Sequence, residues 1–155
     1  MRNQDTFLLN PNRRVGLYVP MEKPTVLALV VAGVVIKKDG KYLLVQEKKP
    51  QVYGQWNLPA GRVDVGDSLE KTAIKEAKEE SGYDVKILRK LGIYQNEATE
   101  AVKHAYQAEI VGGELAFPPD EIMDARWMTF DEVVALKDTL RGSWVLEAIT
   151  MVEEG

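Results

Sequence analysis

The fold is decided by residues 58–83, LPAGRVDVGDSLEKTAIKEAKEESGY. Asp67 or Ser68 can accept a hydrogen bond from a free N–H of a first helical turn. Gly82 can take the left-handed conformation that closes a helix. The spacing therefore predicts a helix between them, with Glu70 in its first turn. At about 100° per residue, Glu76, Glu79 and Glu80 share one face, because residues three and four apart are neighbours. Leu69, Ala73, Ile74 and Ala77 form an apolar arc beside them, and Lys71, Lys75 and Lys78 take the remaining side. The acids thus border the surface expected to pack on the protein.

Like charges so placed repel by roughly 0.2–0.5 kcal/mol even on an exposed helix, and by more where they are partly buried. A hard divalent cation offsets that repulsion, and oxygen ligands are what Mg2+ prefers. Taken alone, the helix also reads as a solvated acidic face, with Lys75 and Lys78 as helix-pair partners.

The order Gly61, five residues, Asp67, seven residues, Lys75-Glu76, two residues, Glu79-Glu80, one residue, Gly82 resembles the Nudix box. Ala77 and Tyr83 occupy its apolar slots. Asp67 stands where that family usually has Glu, Lys75 where it has Arg, and Ala60 where a glycine is frequent. The resemblance runs from about residue 25 to about residue 136. It implies an α/β sandwich with a mixed sheet between helices and one catalytic helix. It implies that Glu76, Glu79 and Glu80 hold Mg2+, with Mn2+ as a substitute, and that one of them helps to activate water. The backbone carbonyl of Ala60 is an implied further ligand. Lys75 matches a residue that orients the glutamates, and Asp67 belongs to the same network. Lysine keeps the charge but lacks the planar fork of arginine, and Asp67 is one methylene shorter than Glu. Counting back from Trp127, Glu121 takes the place of an extra metal ligand or catalytic base, with Asp120 as its neighbour in that role. A capping or solvated loop acid is the other reading of Glu121.

The 155 residues suit one domain, read as an extension at 1–23 and a domain at 24–155. A chain 45% hydrophobic and 28% charged belongs with globular rather than disordered proteins. Its net charge of −4 argues against a surface built for polymeric nucleic acid but leaves a small nucleotide open. With no cysteine there are no thiolate nucleophiles, disulfides or zinc–thiolate sites. The one histidine, His104, cannot make a histidine-rich metal centre. Residues 1–22 lack the apolar core of a signal peptide, and the apolar run at 28–36 is too short to span a bilayer as a helix. A cytoplasmic location without membrane contact is the expectation. Apolar residues between Phe7 and Val19 suit a strand or a partner subunit, so a homodimer is an open expectation. Arg13 and Arg14 read as a phosphate contact or a solvated pair.

Strands are predicted at residues 26–37 and 41–48, joined by a hairpin turn at Lys38-Asp39-Gly40. A loop follows at 49–55. Further strands are expected at 84–95, 101–111 and 125–128, with a turn at Gly112-Gly113. A helix capped by Thr129 or Asp131 should run to Leu136, and a terminal helix should cover 143–153. Strand alternation lets only one of Gln46 and Glu47 face the cleft, and Glu47 is the candidate carboxylate there. Trp56 and Tyr53 are candidates to stack on a base, and His104 or Tyr106 to line its edge. Trp56 also reads as a core aromatic, and His104 as a satisfied strand histidine. Arg62 is a candidate partner of phosphate or of Asp64.

No proline lies between Tyr83 and Phe117, and Thr99 stands where one branch of the family has tyrosine. The resemblance therefore leans toward MutT-like cleavage of a phosphoanhydride in a nucleoside di- or triphosphate, or a related nucleoside diphosphate-X. Residues 55–61 are similar to members acting on oxidised guanine nucleotides. The alternatives are a non-hydrolytic nucleotide-binding module and a dinucleoside polyphosphate or ADP-ribose hydrolase.

Overall fold

The computed structural model describes residues 27–95 and 101–155. The N-terminal extension with Arg13 and Arg14, the start of the first expected strand at Val26, and Thr99 lie outside the described residues.

Strands β1 (Leu29–Lys38) and β2 (Lys41–Glu47) form a hairpin. Its turn uses positive φ at both Asp39 (51°) and Gly40 (76°), the left-handed pair that matches the twist of two antiparallel strands. The two strands pair only at the tip, Lys37 with Tyr42 and Lys38 with Lys41. Beyond it they part. β1 runs antiparallel to β4 (Ala60–Arg62) and parallel to β6 (Ala101–Gly113), which pairs with β5 (Tyr83–Tyr94). β2 runs between β3 (Trp56–Asn57) and β7 (Ile122–Thr129). The result is a mixed seven-stranded sheet that splits into a wedge at the open end of the hairpin.

Helices cover both faces. Alternation along β1 sends Ala32, Val34 and Ile36 to one side, where they meet Leu43, Val45 and Val85 with Ala73 and Ala77 of α1 (Leu69–Ser81). Val35 points the other way and joins Tyr42, Leu44, Trp144, Val145, Ala148 and Ile149, the last four from α3 (Ser143–Glu154). Each fully buried Val, Leu or Ile stabilises by roughly 1.5–3 kcal/mol relative to exposure. The short α2 (Phe130–Ala135) is capped by Thr129, whose Oγ1 accepts from Glu132 N. The Tyr42 hydroxyl donates to the Glu153 carboxylate, tying β2 to the end of α3.

Three local expectations need correction. Gly112 and Gly113 are not a turn; they end β6 and pair with Asp84 and Tyr83. A Cβ at Gly113 would lie 2.3 Å from Gly82 O, so a close backbone approach explains that glycine. Ile74 is 38% exposed, because the α1 face seated on the sheet is narrow and centred on the two alanines. β7 begins at Ile122 rather than at Ala125, since its pairing with β2 continues to Glu47 past an irregularity at Gln46/Glu47. Among the described residues no helix is long and apolar enough to cross a membrane.

Candidate active site

The acidic helix is fixed at both ends. Ser68 Oγ accepts from Lys71 N at 3.1 Å, and Gly82, at φ 81°, sends its N–H to Lys78 O at 2.9 Å. Asp67 is left free for ion pairing. It meets Lys71 at 2.9 Å and Lys75 at 3.9 Å.

Between these caps the helix delivers its glutamates to the wedge. Glu80 is 6% exposed, and its Oε1 accepts from Ala60 N at 3.0 Å. Glu76 is half-buried and lies against Gly61, where a Cβ would stand 2.2 Å from Glu76 Cδ. A side chain at residue 61 would have to push that carboxylate aside. Glu79 is exposed. Glu47, buried at the end of β2, accepts from Asn57 Nδ2 at 3.1 Å. Gln46 turns away and donates to Gly54 O. Glu121 arrives on the segment before β7. All five glutamates, with Ala60, Arg62 and Lys49, line one cleft of about 740 Å3.

Burial is the main force on the two inner acids. It raises Glu80 well above the usual carboxylate range, against the lowering effect of the Ala60 N–H and with the help of Glu47 and Glu76. Glu76 is raised by burial first, then by Glu79, while Lys75 opposes the shift and Glu121 adds to it. Ionising either group works against desolvation and like charge, which is the electrostatic pattern of a functional site. Among the described residues no three such groups stand close enough to form a finished ion cage.

Several other candidates sit elsewhere. Lys75 bonds Asp64 at 3.3 Å and is not among the residues lining the cleft. Arg62 is exposed and lines the cleft, and Asp64 takes Lys75 as its partner. Trp56 is a core residue, 6% exposed, with the Arg126 guanidinium 5.5 Å from its ring. Its backbone pairing with Gln46 turns the ring inward, so it forms no wall of the cleft. Tyr53 is 63% exposed, and Tyr106 is buried among the residues facing α1. His104 lies 2.9 Å from Lys90 Nζ, and burial and that lysine hold its pKa down. Asp120 is exposed and outside the cleft.

His104 and Tyr106 do not line the cleft; the alternate row of β6 does. Ala101 and Lys103 line it with Leu29 and Val31 of β1, joined by Asn57, Arg141 and Trp144. The register of β1 on β6 carries that information, and no local pattern in the sequence does.

The NUDIX domain family model matches residues 26–147. A zebrafish (Danio rerio) protein named 8-oxo-dGDP phosphatase NUDT18 is 34% identical over 101 residues, 63% of this chain and 31% of that one. The NAD-capped RNA hydrolase NudC of Pectobacterium carotovorum is 30% identical over 119 residues, 77% of this chain and 43% of its own. The chain thus spans less than two thirds of the length of these relatives. A NUDIX hydrolase structure from Nitrosomonas europaea superposes with a TM-score of 0.72 at 28% identity, covering 83% of this chain and 90% of that one. The box carried by α1, the split mixed sheet and the family match over most of the chain agree, and the chain belongs to the NUDIX family.

Proposed function

We propose that residues 24–155 form a divalent-cation-dependent hydrolase that cleaves a phosphoanhydride bond in a nucleoside di- or triphosphate or a related nucleoside diphosphate-X. The observation that carries this reading is the convergence of five glutamates on one cleft, two of them with pKa values raised by burial and by their acidic neighbours. A structural role would not require such crowding.

The donor set fits a hard cation. It is made of carboxylate and carbonyl oxygens, in a chain without cysteine. Glu76, Glu79, Glu80, Glu121 and the Ala60 carbonyl would hold Mg2+ or Mn2+, and the exposed Glu79 and Glu121 are free to turn inward. Such an ion, when bound, neutralises phosphate oxygens and makes water a better nucleophile. The chain's own residues supply the rest. Arg62 and Lys49 line the cleft as cations suited to phosphate oxygens. The Ala60 N–H holds Glu80 in place, and Gly61 leaves room for the Glu76 carboxylate. Half-buried and raised in pKa, Glu76 is the group best suited to accept a proton from the attacking water at its carboxylate oxygen. Water oxygen bonds to phosphorus, the bridging P–O bond breaks, and the displaced phosphate leaves with the bridging oxygen. Lys75 acts through Asp64 and Asp67 rather than on the substrate.

The zebrafish relative named for 8-oxo-dGDP and a Bacillus subtilis relative named for 8-oxo-dGTP support oxidised guanine nucleotides as substrates to try first. Glu79→Gln and Glu80→Gln should each lower turnover by orders of magnitude while the protein still melts cooperatively. Near-normal turnover in both would overturn the assignment.

A further inference from the structure

Besides Arg62 and Lys49, which stand among the glutamates, the cleft carries a further pair of cations. The glutamates come from α1, the end of β2 and the segment before β7. The other walls carry Lys103 on β6 and Arg141 before α3. Arg62, Val31 and Lys103 occupy one row across β4, β1 and β6. Two strand spacings set Lys103 roughly 10 Å along the sheet from the strand that carries Ala60 to Arg62.

The cationic end is built much as the acidic end is. Lys103 is half-buried, 3.5 Å from Arg141 O, with its ammonium 5.2 Å from the centre of the Trp144 ring. Burial and the nearby Arg141 charge push its pKa down to about 8. Among the described residues no carboxylate lies within ion-pairing distance of either cation. Trp144 is 3% exposed, and its indole Nε1 has no hydrogen-bond partner among the described residues. Its Cη2 edge abuts Gly33, whereas Cδ1, next to Nε1, lies 3.6 Å from a Cβ built on Gly142. The same built atom lies 3.7 Å from Lys103 Nζ. The lysine and the pyrrole edge of the indole therefore meet at Gly142, in a smaller pocket beside the cleft that Glu147 also lines. Gly142 precedes a twelve-residue helix whose first turn has no side-chain cap. A donor without an acceptor and adjoining cations without a carboxylate partner are unfavourable in a buried setting. An oxyanion resolves all of these deficits together. A neutral carbonyl would satisfy the N–H and leave both charges uncompensated.

We propose that Lys103, Arg141 and the Trp144 indole N–H form a second anion subsite, which selects diphosphate substrates bearing a further phosphate or carboxylate beyond the scissile linkage. The inference rests on the proposed hydrolytic cleft only for the word substrate; the subsite itself is a binding claim. Two matched pairs test it and separate the two anions. Adenosine 3′,5′-bisphosphate against adenosine 5′-monophosphate, titrated by calorimetry at pH 7, reads the phosphate without any turnover. UDP-glucuronate against UDP-glucose, as kcat/KM and as binding, reads the carboxylate. The ligand with the extra anion should be favoured by about tenfold or more in at least one pair, the factor of one charged hydrogen bond. Lys103→Gln and Arg141→Gln should each bring that ratio close to one, and Lys103→Arg should retain it. Preference in binding, with or without hydrolysis of the UDP-sugars, would uphold the subsite. Hydrolysis with no preference in either pair, or no binding of any of the four ligands, would overturn the subsite. A ratio unchanged in Lys103→Gln would also overturn it.

Discussion

Glu80→Gln should make the metal-free protein more stable while it stops the reaction. Glu80 is 6% exposed, accepts one hydrogen bond, from Ala60 N, and has Glu47 and Glu76 as neighbouring charges. Burying an ionised carboxylate costs several kcal/mol after relaxation, and a charged hydrogen bond returns about 1.5–3 kcal/mol of that. Glutamine keeps the size and the oxygen that accepts from Ala60 but removes the charge. The net gain at neutral pH is about 1–3 kcal/mol. In a chain of this size each kcal/mol moves Tm by roughly 2–4 °C, so the variant should melt about 2–12 °C higher in EDTA. The pH dependence has a defined sign. A carboxyl raised in the folded state weakens the fold above its folded pKa and ceases to do so below its unfolded pKa near 4.3. The advantage of the variant should grow as pH rises and shrink as pH falls toward 4. Divalent metal should close or reverse the gap. At about one hundred times its Kd a bound ion adds about 2.7 kcal/mol, a gain open to the wild type and denied to the variant in large part. Thermal melts in EDTA and in excess Mg2+, across pH 4 to 7.5, read all of this. A variant that melts at or below the wild type in EDTA at pH 7.5 would refute the reasoning.

Gly61→Ala places a Cβ 2.2 Å from Glu76 Cδ. The obstacle is the far end of a flexible side chain, so turnover should fall about a hundredfold through the displaced carboxylate with little change in Tm. Equal losses of activity and of stability would show a folding defect instead. Gly82→Ala is the opposite case, since φ is 81° and a Cβ would meet Glu114 O at 2.2 Å. Left-handed strain alone costs about 1–2 kcal/mol, the backbone clash adds to it, and denaturant unfolding should show the loss. Lys75→Arg should keep or raise kcat, because a guanidinium can bridge Asp64 and Asp67, which lysine reaches at 3.3 and 3.9 Å. A tenfold drop would show that lysine is required.

The sequence made legible those features whose causes are local. Ser68 and Gly82 stop α1 by capping, Asp39-Gly40 turns the hairpin by positive φ, and the spacing of three glutamates puts them on one face. The split of the hairpin was not legible. β1 and β2 pair at two positions and then choose different partners, a choice set by strands far away in sequence. That split decides which alternating row meets the cleft, and local sequence does not distinguish the row of Lys103 from that of His104 and Tyr106. In the sequence Trp144 is one apolar residue of a terminal helix. Its unpartnered nitrogen depends on what packs round the ring, and spacing carries no trace of it. Gly61 stood in the motif, but its reason, the carboxylate of Glu76 above it, is tertiary.

The central claim is that the glutamate cleft hydrolyses a phosphoanhydride. The most direct test is release of phosphate and pyrophosphate from ordinary and oxidised nucleoside di- and triphosphates, nucleoside diphosphate sugars, dinucleoside polyphosphates and ADP-ribose, each with Mg2+, with Mn2+ and with EDTA. At least one of these should turn over well, stop in EDTA and be lost in Glu80→Gln. Turnover that persists in EDTA, or that survives in Glu80→Gln at the wild-type rate, would contradict the account.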